Sequence, residues 1–429
     1  MIMPNRSWLP VLLAVLGGDV ARLEAQGQCT VLDQNIFVRD TLREMYLWYQ
    51  ELPDLDPALY PSPETYLDAV RVRPQDETFS YITSAEASSS FYSESQYIGL
   101  GFSIHWILET GRARLAQVFP ESPASEAGMA RGDYLVAIGG RPIEELLEPG
   151  AFDAAIGPTE IGVAVEIRWR SPFGEDRSAV LTKRPVTIPT VSQKEVFDVD
   201  GLPVGYVHLR NFVEPSVGAL DAAFAEFQAR GVTDIVLDLR YNGGGLIEVS
   251  RHLGSLIGGF RTNTQPFVEL AHNDKNSFRD RTFRFDDPEQ SLDVPRLVVI
   301  ATRASASASE LVIQGLKPFI PVTVVGDRTY GKPVGQYGFE FCDKILFPVS
   351  FRSRNAAGET DFFDGIAADC PASDNLDRAL GDPTESSLAE ALYFLGHGRC
   401  SSSAQEAARA LREPPALRGS AWQRLLNAY

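Results

Sequence analysis

Three short segments of this chain hold residue types that could carry acyl-transfer chemistry. In Ala304-Ser305-Ala306-Ser307-Ala308-Ser309-Glu310, hydroxyls sit where a strand is expected to give way to a helix. A nucleophile at such a junction is exposed, the helix N-terminus favours developing negative charge, and small neighbours admit a substrate backbone. Serine is also a preferred N-cap, so the run by itself reads better as plain capping. Gly326-Asp327-Arg328-Thr329-Tyr330-Gly331-Lys332-Pro333-Val334-Gly335-Gln336 forms a loop after an apolar strand. A lysine there serves as general base only if burial lowers its pKa, and Gly331 and Pro333 would fix the backbone around Lys332. In Leu237-Asp238-Leu239-Arg240-Tyr241-Asn242-Gly243-Gly244-Gly245 a strand ends in glycines. Such a turn can aim backbone amides at an anion, or simply make a tight connection.

Other chemistries are poorly supplied. The five histidines, His105, His208, His252, His272 and His397, lie in no triad pattern, and His208 falls within an expected strand, as a structural residue would. The chain has no Gly-x-Ser-x-Gly elbow and no His-Glu-x-x-His metal pattern, and acyl transfer of this kind calls for no metal, nucleotide or other cofactor.

A fourth segment concerns binding. Gly99-Leu100-Gly101-Phe102 precedes a strand; Ser122-Pro123-Ala124-Ser125-Glu126-Ala127-Gly128-Met129 and Gly132-Asp133-Tyr134-Leu135-Val136-Ala137-Ile138-Gly139-Gly140 follow. A glycine turn lets consecutive amides converge on a terminal carboxylate, and the next strand offers an edge for an extended peptide. Phe102 and Ile104 would line a pocket for an apolar last side chain. Residues 97–186 resemble the PDZ domains of exported proteases, which implies C-terminal peptide binding through the amides of Leu100, Gly101 and Phe102.

Together the segments resemble the C-terminal processing peptidases, or tail-specific proteases, in which a Ser-Ala-Ser-Ala-Ser-Glu run precedes a Gly-Lys loop. The similarity runs from the PDZ-like module to about Gly365. It implies that Ser307 is the nucleophile, Lys332 its general base and Gln336 the residue that positions the lysine; Ser305 and Ser309 are the alternatives if the register differs by two. It implies an oxyanion hole of Ala308 and Gly244, with Gly243 as neighbour. The family often has proline where Gly243 stands, so the choice of glycine stays open. It also implies an α/β fold, a crotonase/Clp-protease-like ββα core with an inserted PDZ-like β-rich domain and a small N-terminal helical region. Partners would be protein or peptide substrates with free C-termini. Two other readings are a catalytically silent PDZ scaffold that recruits C-termini and a crotonase-like enzyme acting on small thioesters. Intact Ser307, Lys332 and Gln336 speak against the first; the PDZ-like module and the lack of a basic patch for a coenzyme A phosphate speak against the second.

The elements that must position these residues follow from periodicity. Val38, Leu42, Met45 and Tyr49 share a helical face, Pro53 ends that helix, and a second helix is expected from Pro63 to Arg71. The serine-rich stretch Ser84 to Ser95 reads as a linker or mobile loop. Strands are expected at Gly101–Ile107, Ala113–Val118, Tyr134–Ile138 and Val163–Arg168. From Pro203 the pattern alternates: strands Val204–Leu209, Ile235–Leu239, Leu297–Ala301 and Val322–Val325, and helices Val217–Arg230, one near Gly245, and Ser307–Leu316. That alternation implies parallel pairing. A last helix is expected from Pro383, capped by Asp382 with Glu385 three residues on. The divisions are therefore a signal peptide at 1–25, a helical region at 29–83, the PDZ-like unit at 97–186, the core at 187–400 and a helical tail at 401–429.

Arg6 and the apolar Trp8 to Leu16 fit a secretory leader with Ala25 as a cleavage position, so an exported, periplasmic or extracellular protein is expected, with membrane association left open. No internal run reaches the roughly 20 apolar residues of a membrane helix. The net charge of −18 and the absence of Lys/Arg clusters argue against nucleic acid. The four cysteines, Cys29, Cys342, Cys370 and Cys400, have no C-x-x-C spacing, which argues against zinc; export permits disulfides. Cys342 and Cys370 flank one β-rich segment and are the expected pair, leaving Cys29 to tie the termini through Cys400.

Overall fold

The computed structural model describes residues 29–404 apart from 108, 109, 149 and 173. The expected leader at 1–25 and the tail beyond 404 lie outside the described residues. Helix α1 (Val31–Met45) buries Val38, Leu42 and Met45, the stripe the spacing requires, and Thr30 with Asp33 closes its first turn as a capping box. Helix α2 (Pro63–Val70) starts on Ser62 with Pro63 in its first turn. Strand β1 (Tyr81–Ser84) then leads into helix α3 (Ala85–Glu94). The stretch 84–95, expected as a linker or mobile loop, is thus a helix. Its terminal serines are the reason: Ser84 Oγ accepts from the Ala87 amide, and Ser95 ends the helix in the left-handed region at φ 55°.

A β-rich unit follows. It contains strands β2 (Gln96–Gly99), β3 (Phe102–Ile107) and β4 (Arg112–Val118), helix α4 (Pro123–Glu126), strands β5 (Tyr134–Ile138) and β6 (Arg141–Pro142), helix α5 (Ala151–Ile156), and strands β7 (Ala164–Arg170), β8 (Asp176–Thr182) and β9 (Arg184–Thr187). β7 alternates buried and exposed side chains throughout. The sheet runs β3-β4-β5-β7-β8, so β3 is an edge strand. β2 and β9, the segments by which the chain enters and leaves, pair only with each other, Tyr97 opposite Val186. Leu100, Phe102, Leu115, Ile138, Ile167 and Trp169 form the unit's own apolar core.

The rest is built on a six-stranded sheet. Strands β10 (Val191–Val199), β11 (Leu202–Leu209) and β12 (Asp234–Asp238) carry helix α6 (Pro215–Ala229) between the last two, and helix α7 (Ile247–Thr262) follows. After β13 (Pro266–His272) and β14 (Arg281–Arg284) come β15 (Leu297–Ala301), helix α8 (Ala308–Leu316) and β16 (Val322–Gly326), then β17 (Val334–Gln336), β18 (Phe339–Phe341), β19 (Lys344–Phe347), β20 (Val349–Arg354), β21 (Cys370–Pro371) and helix α9 (Ser386–His397). The large sheet has the order β10-β11-β12-β15-β16-β21, parallel from β11 to β21 with β10 antiparallel at its edge. Leu209, Phe224, Leu237, Leu253 and Val299 belong to one apolar core; Val204, Val236, Val298, Leu388 and Leu395 belong to a second, against α9. Helix α9 begins at Ser386, not Pro383. Glu385 is its cap, accepting from the Leu388 amide, while Asp382 is spent on the Thr384 amide of the preceding turn. No helix among the described residues is long and apolar enough to cross a membrane.

The disulfides join Cys29 to Cys342 and Cys370 to Cys400, not the expected partners. The topology explains the correction. Cys342 sits on the β18–β19 hairpin, which pairs with β1 and receives α1, Phe37 stacking on Phe341 at 4.8 Å. Cys370 lies on the edge of the other sheet, beside the end of α9.

Candidate active site

Ser307 closes the 302–307 turn between β15 and α8, held at φ 54° and ψ −114°. A non-glycine residue there stores of order 1–3 kcal/mol, so its surroundings must over-determine it. They do. The Ser307 amide donates to Glu310 Oε2 at 2.9 Å, and the Leu311 amide returns to the Ser307 carbonyl. Across the turn, a Cβ on Gly244 would come within 2.8 Å of Ser307 Cβ and 2.9 Å of the Ala308 nitrogen, and Gly244 itself has φ 105°. Only glycine lets the Asn242–Gly245 turn close over the serine.

The neighbouring hydroxyls are occupied elsewhere. Ser305 Oγ donates to the Leu239 carbonyl and Ser309 Oγ to the Asn242 carbonyl, both buried. Ser307 alone of the three keeps solvent access.

Lys332 is 7% exposed, and its Nζ donates to Gln336 Oε1 at 2.9 Å. Gln336 in turn donates to the Phe79 carbonyl, so the N-terminal region completes the lysine's setting. Burial lowers the Lys332 ammonium to about 8, while the charges of Asp76 and Glu310 act in the opposite sense. Asp76 is itself fixed by Tyr46 and Ser80.

Glu310 ties the two halves together. Its fully buried carboxylate accepts from the amides of Ser307, Gly331 and Lys332 and from Thr329 Oγ1. The Ser307 and Lys332 amides share the same oxygen, which places their backbones within two hydrogen-bond lengths of each other. Burial raises the Glu310 carboxyl, and these donors restrain the rise. Its signal in the sequence was the Ser-x-x-Glu spacing of a capping box; its grip on residues 329 to 332 carried none.

The glycine turn rests on a buried ionic platform. Arg240, 0% exposed, pairs with Asp238 at 2.6 Å and with Asp374 and Glu385 at 3.0 Å. Arg131 of the β-rich unit reaches Asp374 and the Tyr241 hydroxyl, joining that unit to the core next to the turn. The Gly244 amide donates to Asn242 Oδ1 at 2.9 Å, so it must exchange that acceptor to serve an oxyanion. His208 is fully buried, bonded to Ser192 Oγ and the Arg240 carbonyl, and burial lowers it to about 4.

In the β-rich unit, Leu100 and Phe102 are 4% and 6% exposed and point into its core, so the Phe102 ring supports the loop from beneath; Ile104 is partly buried. Gly101 has φ 94°, and a Cβ there would strike Ser122. The Gly101 amide donates to the Tyr97 hydroxyl at 3.1 Å. Burial pushes the Tyr97 phenol up, while the amides of Gly101 and Phe102 and the charge of Arg210 draw it back.

A parallel α/β sheet with an inserted β-rich unit, carrying a serine turn and a buried lysine, is a peptidase-like architecture. The model for peptidase family S41 matches residues 203–371, and that for the peptidase S41 N-terminal domain matches residues 33–81. Over those two stretches the chain is similar to peptidase family S41. A chloroplastic C-terminal processing peptidase of Tetradesmus obliquus is 30% identical over 240 residues, 52% of this chain and 48% of that one. The chain thus spans about half the length of that curated relative. A solved structure assigned to an S41 protease of Bacteroides fragilis has a TM-score of 0.66 at 24% identity, covering 84% of this chain and 96% of the other. The photosystem II D1 C-terminal processing protease gives 0.55 at 21%, covering 87% and 98%. Both likenesses are of fold.

Proposed function

We propose that this protein is a serine endopeptidase that cleaves exported proteins through a Ser307–Lys332 acyl-enzyme mechanism and holds their C-terminal tails in a PDZ domain formed by residues 97–186. One observation carries the reading: a buried lysine, lowered to about 8 and oriented by Gln336, whose backbone shares the Glu310 carboxylate with that of an accessible, strained Ser307. A solvated lysine would be almost wholly protonated near neutrality; at about 8, this one is neutral in about a tenth of molecules at pH 7 and in about half at pH 8.

In the reaction, Ser307 Oγ attacks the scissile carbonyl carbon as its proton passes to Lys332 Nζ. The oxyanion is received by the Ala308 amide together with Gly243 or Gly244, the latter releasing Asn242 Oδ1. Lys332 returns the proton to the leaving amine as the C–N bond breaks, and the same lysine then activates water to hydrolyse the ester. The core, 187–400, would be of the crotonase/Clp-protease-like kind. In the PDZ reading, β3 supplies its free edge to the substrate tail, and the amides of Leu100, Gly101 and Phe102 receive its carboxylate. Two disulfides suit an oxidising compartment, periplasmic or extracellular.

The test is cleavage of an unfolded protein with an apolar C-terminus by wild type, Ser307→Ala and Lys332→Ala. Wild type should cut, and each folded variant should lose at least about 10³-fold in rate. Activity retained by Ser307→Ala, or an inert wild type, would move the scaffold reading forward.

A further inference from the structure

Tyr97 lies on β2, one of the two strands that connect the β-rich unit to the core, yet its side chain does not follow the strand's pairing. It folds back over Gly99, where a Cβ would sit 2.2 Å from Tyr97 Cε2, and packs edge-on against Phe119 at 6.2 Å. The glycine is what lets the ring reach the loop. At its tip, the hydroxyl oxygen accepts the Gly101 amide at 3.1 Å, and the Phe102 amide also acts on it. These are two of the amides that the PDZ reading assigns to the substrate carboxylate. An oxygen from the chain itself therefore already holds one of these amides and lies within the influence of a second.

We propose that the Tyr97 hydroxyl is a built-in placeholder for the terminal carboxylate, and that a substrate's free C-terminus binds by displacing it. The inference rests on the PDZ reading of residues 97–186. Three features make Tyr97 replaceable by a carboxylate. The phenol is neutral, held by ordinary hydrogen bonds worth a modest net amount. An ionised carboxylate makes stronger bonds to the same amides. The buried Arg210 guanidinium, whose charge acts on the Tyr97 oxygen, favours an anion over a neutral hydroxyl. Arg210 Nη1 also donates to the Tyr241 carbonyl, directly before Asn242 and the catalytic glycines.

The experiment uses the full chain carrying Ser307→Ala, to prevent turnover, with and without Tyr97→Phe, which keeps the ring on Phe119. The probe is a fluorescein-labelled decapeptide ending in Ala-Leu-Val, as the free acid and as the C-terminal amide, followed by anisotropy. The free acid should bind more tightly than the amide, and Tyr97→Phe should tighten the free acid by about three- to tenfold while leaving the amide unchanged. A preference for the free acid that Tyr97→Phe leaves unaltered or weakens would overturn the placeholder and leave the PDZ reading intact. Equal binding of acid and amide in both proteins would overturn the two together.

Discussion

Two glycine loops among the described residues each have a backbone amide held by an acceptor from the chain itself. In the turn beside Ser307, the Gly244 amide is held by Asn242 Oδ1, two residues back. Asn242 is 0% exposed and pinned on several sides: its Nδ2 donates to the Leu209 carbonyl, and its own carbonyl accepts from the Ala306 amide and Ser309 Oγ. In the loop of the β-rich unit, the occupant of the Gly101 amide is Tyr97, a partly exposed side chain brought in from a connecting strand. In one loop the acceptor is a buried side chain of the turn itself, over a buried salt-bridge platform, so the amide must turn away from it; in the other it is a partly exposed side chain from outside the loop, proposed to leave. Under the proposed function, the first must hold a transition state with little slack, whereas the second must release and rebind tails and needs an occupant of modest strength.

The largest way to break this contrast is Arg240→Met. Removing the cation leaves Asp238 and Glu385 without their partner and Asp374 with Arg131 alone beneath the glycine turn, and urea unfolding should register a loss of about 3–5 kcal/mol. Next comes a matched pair of glycine substitutions, each placing a Cβ at positive φ against a wall. Gly244→Ala drives into Ser307, Ala306 and Ala308 and should lower kcat by about 10²–10³-fold on any substrate. Gly101→Ala drives into Ser122 and should raise KM about tenfold for substrates with a free apolar C-terminus while sparing kcat. If both variants lost kcat equally, the two loops would not divide the work as described. The smallest effect is the change in tail affinity expected for Tyr97→Phe.

Much of the site was legible in the sequence because it is carried by short, contiguous patterns. The Ser305–Ser309 run, Lys332 and Gln336 stand in order on one stretch of chain, and the strand–helix alternation around them set the parallel sheet. Ser307 was chosen among the three serines by resemblance; what the sequence does not carry is that Ser305 and Ser309 bond to the Leu239 and Asn242 carbonyls. Glu310 reads locally as a helix cap; its hold on Thr329, Gly331 and Lys332 is a long-range contact that spacing does not encode. The Phe79 carbonyl that holds Gln336 is a backbone group and leaves no mark in residue identity. Cys342 and Cys370 flank one β-rich segment but lie at two distinct sheets, a separation that the residue pattern does not encode. The helix at 85–94 was misread because its serines sit both in caps, which favour it, and in its interior, which does not.

The most direct test of the Ser307–Lys332 assignment is the pH dependence of kcat/KM for a short peptide. Lys332 must be neutral to accept the Ser307 proton, and its pKa is lowered to about 8 from 10.5, so the rate should climb about tenfold per pH unit below 8 and level off above it. A profile flat from pH 6 to 9, or one with its inflection near the about 6.5 of an ordinary histidine, would contradict a lysine base.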